Sequence, residues 1–248
     1  MCGRYASSRQ PDDLVEEFEV VESRIAAPLA ADFNVAPTKE VYAVVERPPT
    51  KDSPEPPERQ LRVFTWGLVP SWAKDPSIGN RMINARMETV AEKPAYKKAF
   101  AVRRCLLPAD GYFEWYPTSQ TNAKGKPVKQ PYFIRPADGG VLAMAGLYEI
   151  WRDRSLPEDD PNRFRWTCTV LTTAAEDSLG HIHDRMPMMV ERDRWGEWLD
   201  PRVGGELSLL VPAAPGRLEA YPVAPLVSNV RNNGPELVEP LPLEDALS

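Results

Sequence analysis

The chain has 248 residues, 42% of them hydrophobic and 27% charged, a balance that supports a folded core and excludes disorder of the whole. Its formal charge of −6 argues against a broad positive coat for gripping duplex DNA, and it has neither a long apolar run for a membrane span nor a basic-then-apolar leader. One large cytoplasmic domain is the expectation, and 27 prolines against 14 glycines predict short strands, many loops and few long helices.

Pro11 can open a helix over about residues 11–20, with Asp12 and Asp13 at its N-terminus and Leu14, Val15 and Phe18 as its apolar stripe. Residues 41–45 and 61–66 read as strands on either side of a proline-rich, charged loop, 46–60. Pro94 starts a short helix that runs through Phe100. Residues 106–107, 111–116, 131–135, 141–151 and 166–173 read as further strands, with protruding loops at 117–130 and 152–163. A helix over 192–199 and late strands at 221–223 and 226–230 complete the pattern. Strands and helices without a βαβ rhythm predict a single α+β domain built on antiparallel sheets. Charge is uneven: residues 81–104 carry seven bases against two acids, whereas the segment after Gly234 carries four acids and no base. The basic stretch is either a solvated helix face or a patch for an anion such as a phosphodiester strand.

Cys105 and Cys168 sit in strand-like apolar surroundings, where free cysteine behaves as a small hydrophobe. Cys2 differs through its position. Removal of Met1 would leave an α-amine and a thiol on one residue, a pair suited either to trapping an aldehyde as a thiazolidine or to attacking an amide. His181 and His183 alternate, so they share one side of an extended segment; with no third histidine and no metal-type cysteine spacing, no metal is expected. Glu114, among Tyr112, Phe113, Trp115 and Tyr116, is either the outward polar position of a strand or a desolvated carboxyl suited to acid–base work. Asn84 and Arg86, two apart, share one face of a strand. The loops 33–37 and 66–72 carry proline and aromatic edges beside the basic stretch, which suits either core packing or unstacked bases.

Six ordered motifs complete the reading: Met-Cys-Gly-Arg-Tyr at 1–5, Asn-Val-Ala-Pro at 34–37, Trp-Gly-Leu-Val-Pro-Ser-Trp at 66–72, Asn-Ala-Arg-Met-Glu at 84–88, Gly-Tyr-Phe-Glu-Trp at 111–115 and His-Asp-Arg-Met-Pro at 183–187. Together they resemble the SOS-response-associated peptidase (SRAP) family, over residues 2–240, leaving 241–248 as an acidic tail. The resemblance implies one domain with barrel-like antiparallel sheets and flanking short helices. It also implies a sensor of abasic sites in single-stranded DNA that crosslinks through its N-terminal cysteine, with peptidase and lyase-like activities as further possibilities of the family; a monomer is the expectation. By motif, Cys2 is the expected nucleophile, Asn84 its positioning partner, Glu114 the acid–base and His183 a second polar group at the sugar. Arg4 and Arg86 are expected on phosphates; Asn34, Pro37 and Trp72 along the DNA path; and Thr172 in the pocket wall. The rival readings are a true peptidase and a non-catalytic reader of modified DNA. Ala73 departs from relatives that carry a second tryptophan there.

Overall fold

The computed structural model describes residues 2–49 and 55–247. Among the described residues thirteen strands and three short α-helices follow one another. The strands are β1 Tyr5–Ser7, β2 Glu22–Ser23, β3 Asp32–Val35, β4 Glu40–Arg47, β5 Glu58–Trp66, β6 Asn84–Arg86, β7 Arg104–Ala109, β8 Gly111–Thr121, β9 Pro127–Pro136, β10 Leu142–Arg152, β11 Phe164–Ala174, β12 Arg185–Pro187 and β13 Leu218–Pro222. The helices are α1 Pro11–Glu17, α2 Lys97–Val102 and α3 Trp195–Leu199.

The larger sheet runs β12-β11-β10-β7-β4-β5-β2, and β11 also pairs in parallel with β5 through Thr167↔Thr65 and Cys168↔Trp66. That pairing closes β11, β10, β7, β4 and β5 into a ring, so these strands leave no open edge. Side chains alternate with the period of a strand. Val41, Ala43, Val45, Phe64, Trp66, Leu107, Met144 and Val170 fill the inside, and Tyr42, Val44, Leu61, Leu106, Ala145, Leu147 and Leu171 point outward. The outer layer packs against Leu14 and Phe18 around α1, Ala99 and Phe100 of α2, and Trp195, Trp198 and Leu199 of α3. The second sheet, β13-β9-β8-β1-β3, lays Tyr5, Val35, Tyr112 and Ile134 onto the ring's interior cluster and turns Ala6, Phe113 and Phe133 toward Val223, Val227 and Leu237.

Arg104 explains how such short helices hold. Its buried guanidinium donates to the carbonyls of Phe100 and Ala101 at the end of α2, to Trp198 and Asp200 at the end of α3, and to Gly204, at 2.6–2.9 Å. One cation thus satisfies carbonyls that two helix ends would otherwise leave orphaned, where its charge is also favourable.

The predicted helices at 11–20, from 94 through Phe100 and over 192–199 all form: the first shortens to α1, the second shifts along the chain to α2, and the third is a 3-10 turn leading into α3. Two expectations change. Residues 226–230 form no strand: Pro225 opens a 3-10 helix over Pro225–Ser228, held by the Asn34 amide on the carbonyls of Val227 and Asn229. Much of 117–130 is hairpin strand, because Pro117 pairs with Lys129 and Thr121 with Pro127, leaving a turn at 122–126. In the 46–60 loop, residues 50–54 lie outside the described residues, while β4 and β5 extend into both of its flanks. The segment 241–247 lies against the domain, Leu241 N donating to Pro222 O and Leu247 N to Gln130 Oε1. No helix among the described residues is long and apolar enough to cross a membrane.

Candidate functional site

Cys2 lies just ahead of β1, fully buried in the cluster shared by the ring interior and the second sheet. Its thiol reaches the Arg4 carbonyl at 3.9 Å, and its own carbonyl accepts the Asn84 side-chain amide at 2.7 Å. Burial pushes the thiol pKa well above its ordinary value, and the Glu114 charge adds to the rise.

Asn84 is placed by both of its neighbourhoods. As the first residue of β6 it pairs in parallel with Val170 of β11, while the preceding carbonyl, of Ile83, accepts from the buried Trp66 indole at 2.9 Å. Its own carbonyl accepts from Tyr96 Oη at 3.2 Å. Asn84 Oδ1 is buried with no hydrogen-bond partner among the described residues, so one amide acceptor is left facing the site. Arg86, on the same face of β6, is exposed.

Glu114 follows Tyr112 by two residues on β8, so the strand period turns it to the Cys2 side while Phe113 faces away. It is only 4% exposed. Burial raises its pKa, and the charges of His183 and Lys129 oppose that rise. Glu114 therefore stands within electrostatic reach of both Cys2 and His183.

His183 is half-buried, and its Nδ1 lies 3.0 Å from both the Arg185 backbone N–H and the Asp184 carboxylate. The turn is anchored by Arg185, which grips Glu88 through two hydrogen bonds, at 2.6 and 3.0 Å, and donates to the carbonyl and hydroxyl of Thr172. Arg185 holds the Glu88 carboxyl below the usual carboxylate range. Thr172 is fully buried and occupied by this arginine. The Glu88–Arg185 clamp escaped the sequence reading, although each partner lies inside a recognised motif: opposite charges in two separated motifs were the available signal.

Arg4 donates to Asn34 Oδ1 at 2.7 Å and to the Val227 carbonyl at 2.9 Å, and its guanidinium lies 5.6 Å from the centre of the Trp115 ring. Asn34 is 0% exposed, and its amide is spent on the carbonyls of Val227, Asn229 and Asn232. It staples the 227–232 segment under Arg4 and has no free surface along any path. Pro37 precedes Thr38, whose φ of +75° is held by Thr38 N donating to Trp66 O at 2.8 Å. Trp72, at the far end of the same loop, is 61% exposed. Gly67 roots that loop: at φ +130°, a Cβ there would fall 2.6 Å from the Gly79 carbonyl oxygen.

The structure thus gathers Cys2, Asn84, Glu114 and His183, leaves Arg86 and Trp72 exposed and Pro37 half-buried, and places Asn34 and Thr172 beneath the surface as supports. Among the described residues no three His, Cys, Asp or Glu side chains are grouped as a metal site would require.

The chain is 36% identical to the abasic site processing protein YoqW of Bacillus subtilis over 96% of this chain and 99% of that one. It is 32% identical to the abasic site processing protein YedK of Escherichia coli, over 97% and 100%. It is 27% identical to the abasic site processing protein HMCES of Xenopus tropicalis, over 95% and 77%. A crystal structure of a Bacteroides thetaiotaomicron protein superposes with a TM-score of 0.77 at 24% identity, over 97% of this chain and all of that one, a likeness of fold. The family profile described as SOS response associated peptidase (SRAP) matches residues 1–230. With its motifs set around Cys2 as described and nearly the whole chain covered, the protein belongs to the SRAP family.

Proposed function

We propose that this chain processes abasic sites in single-stranded DNA, as a monomer, by forming a covalent crosslink through Cys2. The observation that carries the reading is the gathering of a candidate N-terminal aminothiol, an amide at 2.7 Å from its carbonyl and a buried carboxyl, in a chain whose relatives named above are called abasic site processing proteins.

In this reading Met1 is removed, which frees the Cys2 amine. The amine attacks C1′ of the open-chain deoxyribose aldehyde, and the carbinolamine loses water to give an imine. The thiol sulfur then bonds C1′ while its proton passes to the imine nitrogen, closing a five-membered thiazolidine. One water leaves per crosslink, and nothing is oxidised or reduced. Glu114, kept neutral to a higher pH than an exposed carboxyl, gives a proton to the departing hydroxyl and as carboxylate takes the thiol proton. Asn84 fixes the Cys2 backbone, so amine and thiol stay aimed at one carbon. His183 offers a ring nitrogen to the sugar. Ring closure removes the iminium that would drive β-elimination, so the strand is shielded from cleavage. Arg86 meets a phosphate, Pro37 and Trp72 flank the path, and Arg4 acts mainly by holding the 227–232 segment.

The test is a denaturing gel after incubation with an oligonucleotide carrying one abasic site, as a single strand and within continuous duplex, beside an undamaged control and a peptide. The single-stranded abasic substrate gives a heat-stable adduct. Equal adduct in the duplex rejects the proposed path; peptide cleavage without adduct replaces the reading with a peptidase.

A further inference from the structure

The Cys2 site leaves a second concavity unused. Between the loop ending at Trp72 and the turn after β10 lies a groove of about 440 Å³, within the usual size of small-ligand pockets, bordered by Ser71, Trp72, Lys74, Arg152, Arg154 and Ser155. Its base is firm. The Trp151 indole, 5% exposed, donates to the Ala73 carbonyl at 2.7 Å and packs with Val69 and Ala73.

The charges around the groove are asymmetric. Arg152 pairs with Glu158 at 3.1 Å. Asp153 accepts from Ser155 N and Oγ at 3.0 and 2.6 Å and from Arg165 at 3.0 Å, so the one carboxylate in the lining is already neutralised and orders the turn. Lys74 and Arg154 are exposed and make no ion pair with any described residue. An exposed indole and two uncommitted cations therefore border one slot, the combination that takes a base by stacking and a phosphate by charge.

The slot also lies in line with the site. Asn84, which holds Cys2, pairs with Val170 on β11, whereas Trp151 pairs with Arg165 of the same strand. Five residue steps of β11 separate them, roughly 17 Å at about 3.3 Å per residue. A DNA strand with its abasic sugar at Cys2 reaches the slot after a few nucleotides.

We propose that this groove is a subsite for one nucleotide of the DNA strand, a few positions from the abasic sugar and on one side of it only, its base on Trp72 and its phosphate at Lys74 and Arg154. The inference rests on the abasic-DNA reading above and extends it to the flanking strand. It assigns binding roles to Lys74, Arg154 and the turn after β10, which carry none in the crosslinking chemistry.

The test uses oligonucleotides with one abasic site and arms of one to eight nucleotides, lengthened on the 5′ side alone or the 3′ side alone. Affinity is read by fluorescence anisotropy at two salt concentrations and adduct by gel, for the wild type and for the double variant Lys74→Ala, Arg154→Ala. Lengthening one arm past about three nucleotides should tighten binding roughly tenfold, and the other arm should not. The double variant should lose that gain, with a salt slope lower by up to about 1.4 on the long-armed strand. Equal gains from both arms, or a gain that survives in the double variant, overturn the subsite. If the short-armed strand crosslinks while arm length has no effect, the groove proposal alone has failed. If no strand crosslinks at any length, the Cys2 reading has failed with it.

Discussion

The Asn84 amide and the Cys2 carbonyl meet at 2.7 Å although 82 residues separate them in the chain. That bond ties an N-terminal segment, which would ordinarily fray, to a strand fixed against β11. Asn84→Ala should therefore slow crosslinking by about 10²-fold through loss of aim, with single-strand affinity little changed. Single-turnover rates set beside anisotropy titrations check this; parallel losses in both would make Asn84 a folding residue.

Glu114→Gln keeps shape and removes the titrating proton, so crosslink formation should fall by roughly 10²–10⁴-fold. Stability should move the other way. The folded-state pKa of Glu114 is raised, so the native state binds its proton more tightly than the unfolded chain, and stability is lost as pH rises from the ordinary glutamate range through the folded value. The glutamine variant should thus be more stable than wild type near neutral pH, and the difference should vanish below the ordinary glutamate range. Urea denaturation at pH 3 and pH 7.5 measures both points.

Because burial and the neighbouring carboxylate raise the Cys2 thiol pKa, the resting residue is a protonated thiol. Iodoacetamide at pH 7.5 should alkylate it more than tenfold more slowly than a free cysteine. Alkylation at the free-cysteine rate would mean that the thiol is exposed or already ionised, against the order of steps in which amine attack comes first.

Arg104 separates folding from chemistry. Arg104→Met would leave five carbonyls, four of them at two helix ends, without their donor, and should cost about 3 kcal/mol or more of stability. Crosslinking per folded molecule should hardly change. Thermal denaturation, together with rates normalised to folded protein, tests the division.

The strands legible in the sequence were those whose β-branched and aromatic residues show on their own. Val41–Val45 is an example: it packs on both faces and reads as one apolar run. The closing pair of the ring, β5 with β11, was not legible, because only two residue pairs join strands about a hundred positions apart. Residues 226–230 look like a strand by composition, yet local turn chemistry at Pro225 and the Asn34 amide decide otherwise. At the site, the motifs marked Cys2, Asn84, Glu114 and His183 as a set. They could not separate residues that face a ligand from those that hold them: Asn34 shares its motif with the half-buried Pro37 and Thr172 precedes the histidine motif, and only burial shows that both are supports.

The most direct measurement is peptide mass spectrometry of the adduct formed on abasic single-stranded DNA, digested with nuclease and trypsin without borohydride. The account predicts the deoxyribose remnant on the tripeptide Cys2-Gly3-Arg4, lacking Met1, at the mass of a crosslink that has lost one water, and no such stable species from Cys2→Ser. A remnant on a lysine, or full crosslinking by a chain that retains Met1, would contradict it.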